Sequence, residues 1–122
     1  MSRTRLAALG AGVAIVGAGL TIAAPAQAAS CYASSGKLYC GNTYDAPIYR
    51  LPRSTANDKP EPVIDRLRTT FSYFNCWTTG QQHAGGNNIW YQTVGDVTHS
   101  TGYIAARWVY THTDPFPGVR PC

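Results

Sequence analysis

Ile89-Trp90-Tyr91-Gln92-Thr93-Val94, a turn over 95–101, and then Gly102-Tyr103-Ile104-Ala105-Ala106 together decide the fold reading. The first six residues set Trp90, Gln92 and Val94 on one side and Ile89, Tyr91 and Thr93 on the other. That is the period-two pattern of a strand whose successive side chains point to opposite faces. The glycine-led turn and the apolar run after it supply an antiparallel partner. Upstream, 71–78 alternates in the same way, with Phe71, Tyr73, Asn75 and Trp77 opposite Ser72, Phe74, Cys76 and Thr78. Both faces carry rings, so both are expected to be at least partly covered. Between these strands, 80–88 holds Gln81-Gln82, Gly85-Gly86 and Asn87-Asn88, the composition of a polar, flexible connection.

Further out, Val63-Ile64-Asp65-Arg66-Leu67 reads as a strand, with Asp65 as an exposed-face carboxylate beside a basic neighbour. The 51–62 segment carries Pro52, Pro60 and Pro62 among Ser54, Asn57 and Asp58. Proline at that density keeps it out of a central strand and makes it a loop. Pro47-Ile48-Tyr49 is a short extended piece, and Tyr32-Ala33 with Leu38-Tyr39 forms the arms of a hairpin turned by Ser34-Ser35-Gly36. Arg107-Trp108-Val109-Tyr110-Thr111 closes the pattern before a proline-rich tail, 112–122. Past the first thirty residues, no long stretch has the apolar spacing of a helix. Short strands of about five to seven residues at this turn spacing predict an all-β domain, a little barrel or sandwich. Trp90, Ile104, Phe74 and Val94 are expected in its core.

The beginning of the chain is of a different kind. Arg3 and Arg5 precede an uninterrupted apolar run over 6–24, and Pro25-Ala26-Gln27-Ala28 supplies a small-residue cleavage site. This is the pattern of a secretory signal peptide over 1–28. The run also falls in the range of about 17–25 residues that spans a bilayer, which makes an uncleaved anchor the competing reading. Its glycines and the cleavage site favour removal, after which no membrane contact is expected. Removing those 28 residues leaves 94 of the 122, and losing Arg3 and Arg5 leaves eight basic residues against six acidic. So small an excess is far from the dense basic face of a nucleic-acid binder, and nucleic acid is excluded as a partner. A chain this short makes one domain that buries roughly 60–65% of its unfolded surface, so it profits from covalent staples. A large multidomain enzyme and a doubly wound nucleotide-binding fold do not fit. The four cysteines, Cys31, Cys40, Cys76 and Cys122, all follow the leader and read as two disulfides in an oxidising compartment. Of the three pairings, Cys31–Cys40 across the short hairpin and Cys76–Cys122, pinning the tail to an internal strand, are favoured.

The order of signals resembles the bacterial SH3-like domains of exported proteins. The resemblance runs over 44–111 and rests on Ala46-Pro47-Ile48-Tyr49-Arg50, the Pro/Ser loop, Val63-Ile64-Asp65-Arg66-Leu67, Cys76-Trp77, Ile89-Trp90-Tyr91 and Gly102-Tyr103-Ile104-Ala105-Ala106. Tyr49-Arg50-Leu51-Pro52 stands where that family has an arginine and proline motif. Small secreted proteins of this type, with a leader like this one, are common in filamentous actinobacteria. The resemblance implies a half-open barrel of five to six short strands over 44–111, with a single helical turn before the last strand. Around it stand a disulfide-closed hairpin over 29–43 and the 112–122 tail. It also implies a non-catalytic binding role, often toward cell-wall peptide or glycan, with the groove between the long early loop, the glycine-rich connection and the helical turn.

Enzyme chemistry finds little footing. There is no G-x-S-x-G elbow, and paired cysteines are not nucleophiles. His83, His99 and His112 fall in loops or the tail at wide spacing, unlike a zinc motif; His83, His99 and Asp96 are the remote alternative as ligands. Among Asp45, Asp58, Glu61, Asp65, Asp96 and Asp114 no pair stands out for glycoside hydrolysis. No catalytic residue, metal or cofactor is therefore expected. The fourteen aromatic residues say more, because a barrel this small cannot bury them all, and exposed rigid rings are platforms for sugars or peptides. Tyr49, Trp77, Tyr103 and Trp108 are the expected binding rings, and Arg50, Arg53, Arg66 and Arg68 are cations able to bring a carboxylate or phosphate to them. Arg50 and Arg66 are the two chosen. The expectation is a monomeric, secreted binding module, retained on the wall or released, that takes cell-wall peptidoglycan or another extracellular polymer or peptide. A small secreted protease inhibitor or toxin-like effector using the 51–62 loop is the alternative. A hydrolase built on His99 or Asp96 comes third.

Overall fold

The computed structural model describes residues 31–122; the expected signal peptide over 1–28 and its cleavage site lie outside the described residues. The chain is all-β, with ten strands and one 3₁₀ turn among the described residues. They are β1 (Tyr32–Ser34), β2 (Lys37–Gly41), β3 (Ala46–Tyr49), β4 (Thr55–Ala56), β5 (Lys59–Pro60), β6 (Val63–Leu67), β7 (Phe71–Phe74), β8 (Cys76–Thr79), β9 (Ile89–Val94) and β10 (Thr101–Ala105), with the 3₁₀ turn at Ala106–Trp108. The strands outnumber the expected set for two reasons. The 51–62 loop folds into a tiny hairpin of its own, β4 against β5, turned by Asn57 and Asp58 at positive φ. The 71–78 strand is also broken at Asn75 into β7 and β8.

That break joins the two main sheets. One has the order β1-β2-β7 and the other β6-β3-β10-β9-β8, and all strand pairs are antiparallel. Asn75 donates its backbone N–H to the Gln92 carbonyl at 2.8 Å, so the chain leaves β2 and moves onto β9 within one residue. The kink also resets the alternation: Phe74 and Trp77, expected on opposite faces, both pack on the core.

Between the sheets lie Leu38, Cys40 and Phe74 from the smaller one and Ile48, Leu67, Tyr91 and Ile104 from the larger, with Phe116 and Val119 of the tail closing one end. Full burial of each such side chain contributes about 1.5–3 kcal/mol. Trp90 is fully buried, as expected, on the opposite face of β9 from Tyr91 and beneath loops that fold over the larger sheet. One expectation for the core needs correction. Val94 shares that outer face and is only half-buried, because period two places Thr93, not Val94, toward the interior.

Cys31 is bonded to Cys40 and Cys76 to Cys122. Such bonds belong to an oxidising environment. The first hairpin is not separate from the body, since Leu38–Gly41 pairs residue for residue with Phe71–Phe74. The tail is held as closely. Tyr91 donates its hydroxyl to Asp114 at 2.7 Å and accepts the Phe116 N–H at 3.0 Å, while Thr111 and Asn87 donate to the same carboxylate. Burial, reinforced by the Asp114 carboxylate, pushes the Tyr91 phenol far above its usual range, so it serves as a fixed donor. Among the described residues no helix is long and apolar enough to cross a membrane.

Candidate functional site

The outer face of the five-stranded sheet carries a cleft of about 440 Å³. Its walls come from three places: Ser54 and Thr55 of the long loop, Gln81, Gln82, His83 and Ala84 of the 80–88 connection, and Arg107 and Trp108 of the 3₁₀ turn. Tyr49 at the end of β3 completes it, with Trp90 and Ala105 beneath. Ligand sites are commonly concavities of about 300–1,000 Å³ with a few placed polar groups, and this cleft falls in that range.

Gln81 draws the walls together. Its side-chain oxygen accepts the backbone N–H groups of Ser54 and Thr55 at 2.9 and 3.2 Å, its amide nitrogen donates to the Thr55 hydroxyl at 2.8 Å, and its own N–H goes to the Pro52 carbonyl at 3.0 Å. The Trp90 indole N–H donates to the Gln81 carbonyl at 2.8 Å, which accounts for the buried ring's one polar atom. The connection that composition marks as flexible is therefore folded. Within it, Nδ1 of His83 accepts the Gly85 N–H at 3.1 Å, which leaves Nε2–H to donate to the Ile89 carbonyl at 2.9 Å. The His83 and Tyr49 rings each meet Trp90 edge to face, with centroids 5.8 and 6.2 Å away. A side chain at position 85 would collide with Arg107 and His83, so glycine there is what lets the connection approach the 3₁₀ turn.

Of the six residues expected to bind, the structure brings Tyr49 and Trp108 together in the cleft. Tyr103 is on the same outer face, opposite Tyr49 and Gln92 in register, but does not line the cleft. Trp77 packs against the interior, and its backbone is bridged to Pro121 of the tail, because the Asn75 kink turned it inward. Arg50 is exposed on the far side of the long loop, in a smaller hollow of about 120 Å³ shared with Arg53 and Glu61. Arg66 lines a shallow depression with Val63, Val97 and Thr98, and its guanidinium donates to the Asp45 carbonyl at 2.8 Å. Arg53 is paired with Glu61, and Arg68 with Asp45 at 2.7 Å. The cation at the cleft is Arg107, whose guanidinium carbon lies 4.3 Å from the Trp108 ring centroid in a cation–π contact. Its signal in the sequence was its place beside Trp108 at the start of the final run.

Asp65 also departs from expectation. It is buried, and its carboxylate accepts the N–H groups of Arg66, Val97, Thr98 and Ser100 and the Thr98 hydroxyl, at 2.8–3.2 Å. Burial alone would push its pKa up, but these hydrogen bonds to the ionised form hold the carboxyl well below the usual carboxylate range. Gly95 is obligatory beside it, since a Cβ there would overlap the carboxylate. Asp96 accepts the Arg68 N–H at 2.7 Å, His99 is exposed at positive φ, and no group of three potential metal ligands occurs among the described residues. No family model, curated protein or solved structure matches this chain.

Proposed function

We propose that this chain is a secreted, non-catalytic binding module of the bacterial SH3-like type, and that it takes the peptide or glycan of the cell wall in the cleft beside Tyr49 and Trp108. The carrying observation is where the cleft lies. It opens between the long early loop, the 80–88 connection and the 3₁₀ turn, the three segments that border the groove in the family the sequence resembles. The strand order supports the same reading, with a long-loop hairpin (β3, β6), a meander (β8, β9, β10) and one 3₁₀ turn before a final extended segment bridged at Val109 to Asn42. Tyr49, held edge to face on Trp90, and the half-buried Trp108 present rigid apolar surface at low entropic cost.

Sedimentation of the oxidised 29–122 protein with purified peptidoglycan sacculi tests this. The expected result is saturable binding that survives high salt and falls at least tenfold in Trp108→Ala. Protein left wholly in the supernatant, or binding abolished by salt alone, overturns it.

One observation favours a second reading, a protease inhibitor or toxin-like effector. The 51–62 loop is braced internally by β4–β5 and the Arg53–Glu61 pair and externally by Gln81, and it offers the exposed tip of Asn57, Asp58 and Lys59. A braced exposed loop is what an inhibitor inserts into a protease. Inhibition of any member of a protease panel, lost on replacing Lys59, would favour it over wall binding.

A further inference from the structure

Every acid but one of this chain is committed away from the cleft. Glu61 pairs with Arg53, Asp45 with Arg66 and Arg68, Asp65 with the 97–100 turn, Asp96 with the Arg68 N–H, and Asp114 with Tyr91, Thr111 and Asn87. The sixth, Asp58, stands at the exposed tip of the β4–β5 hairpin and does not line the cleft. The cleft itself is lined by no acidic side chain.

Arg107 lines that acid-free wall with its guanidinium against the Trp108 ring, and no carboxylate pairs with it among the described residues. The Gln82 amide and the Tyr49 hydroxyl, on the facing walls, likewise make no side-chain hydrogen bond among the described residues. A guanidinium resting over an aromatic face with no carboxylate partner keeps its N–H fork available. That fork matches a carboxylate, which it can hold by two parallel charge-assisted bonds.

We infer that the cleft takes a ligand bearing a carboxylate, with the anion on Arg107 and the adjoining apolar part of the ligand against Trp108 and Tyr49. This rests on the binding-module reading and narrows it. Uncharged glycan is the wrong partner for this cleft, and the carboxylate belongs either to a peptide C-terminus or to an acidic sugar. At about 440 Å³ the cleft has room for a dipeptide or one sugar ring.

The test is titration of the oxidised protein, followed by NMR at the indole signal of Trp108, with two matched pairs of probes. One pair is N-acetyl-alanyl-alanine and its C-terminal amide; the other is N-acetylmuramic acid and its methyl ester. The expected result is that one acid shifts the Trp108 signal and binds at least tenfold more tightly than its neutral counterpart, the preferred pair naming the source. Arg107→Gln should abolish that preference and Arg107→Lys retain part of it, with the unfolding midpoint of both variants unchanged. If acid and neutral forms bind alike, or Arg107→Gln keeps the preference, the carboxylate assignment falls while the binding module stands. If no probe reaches the cleft and the sacculi bind nothing, both fall.

Discussion

The 95–100 turn and the cleft lie at opposite ends of β10 and treat their polar groups in opposite ways. At the turn, one buried carboxylate collects four backbone N–H groups and a hydroxyl, leaving nothing for a ligand to bind. At the cleft, a guanidinium, an amide and a phenol line the walls with no carboxylate or side-chain hydrogen-bond partner among the described residues, although the walls behind them are tied by Gln81. The difference separates architecture from recognition. A satisfied buried polar group specifies the fold, whereas a partnerless one on a rigid wall costs little while hydrated and becomes useful when something displaces the water.

The sharpest test of that contrast is Asp65→Ala. It strands several donors at once and should cost about 3 kcal/mol, read as a lower urea midpoint. The same site predicts an acid limb. Because the folded-state carboxyl is depressed, its stabilisation is fully present above the unfolded value of about 3.9 and is lost as pH falls through the lower folded value. Stability of the wild-type protein should therefore drop below about pH 4, and Asp65→Asn, already destabilised at neutral pH, should lose that part of the slope. Tyr91→Phe comes next, at about 1–2 kcal/mol, since it removes one donor from Asp114 and one acceptor from Phe116. Arg107→Ala should be smallest, within about 0.5 kcal/mol in the same unfolding assay. A loss at Arg107 as large as at Asp65 would erase the distinction between the two ends of β10.

Much of the framework was legible because it is local. Val63–Leu67 and Ile89–Val94 are the strands that alternation and β-branched content mark out, and the proline-rich loop falls where proline excludes a central strand. What escaped was set by distant partners. Asp65 reads as a surface acid in its own strand, and only the return of residues 97–100, more than thirty positions on, makes it a buried hub. Trp77 and Trp108 look equivalent as rings beside strands. A one-residue transfer between sheets at Asn75 turns the first inward, and the 3₁₀ turn carries the second into the cleft. The arginines closest in sequence to the long loop were the natural choice for a groove. Asp45 and Glu61 hold three of them, and the cation that lines the cleft comes from the end of β10 instead.

The tail has a consequence beyond geometry. β8 is the last strand of the five-stranded sheet, and its outer edge is occupied by the tail: Trp77 donates its N–H to Arg120, Cys122 donates to Trp77, and the Cys76–Cys122 bond locks that pairing. An open edge strand is a template for aggregation. Reduction should therefore act first on the solubility of the protein, freeing the edge to pair with a second molecule, while the cleft on the sheet's outer face keeps its walls. The bond guards against self-association as much as it fastens the chain.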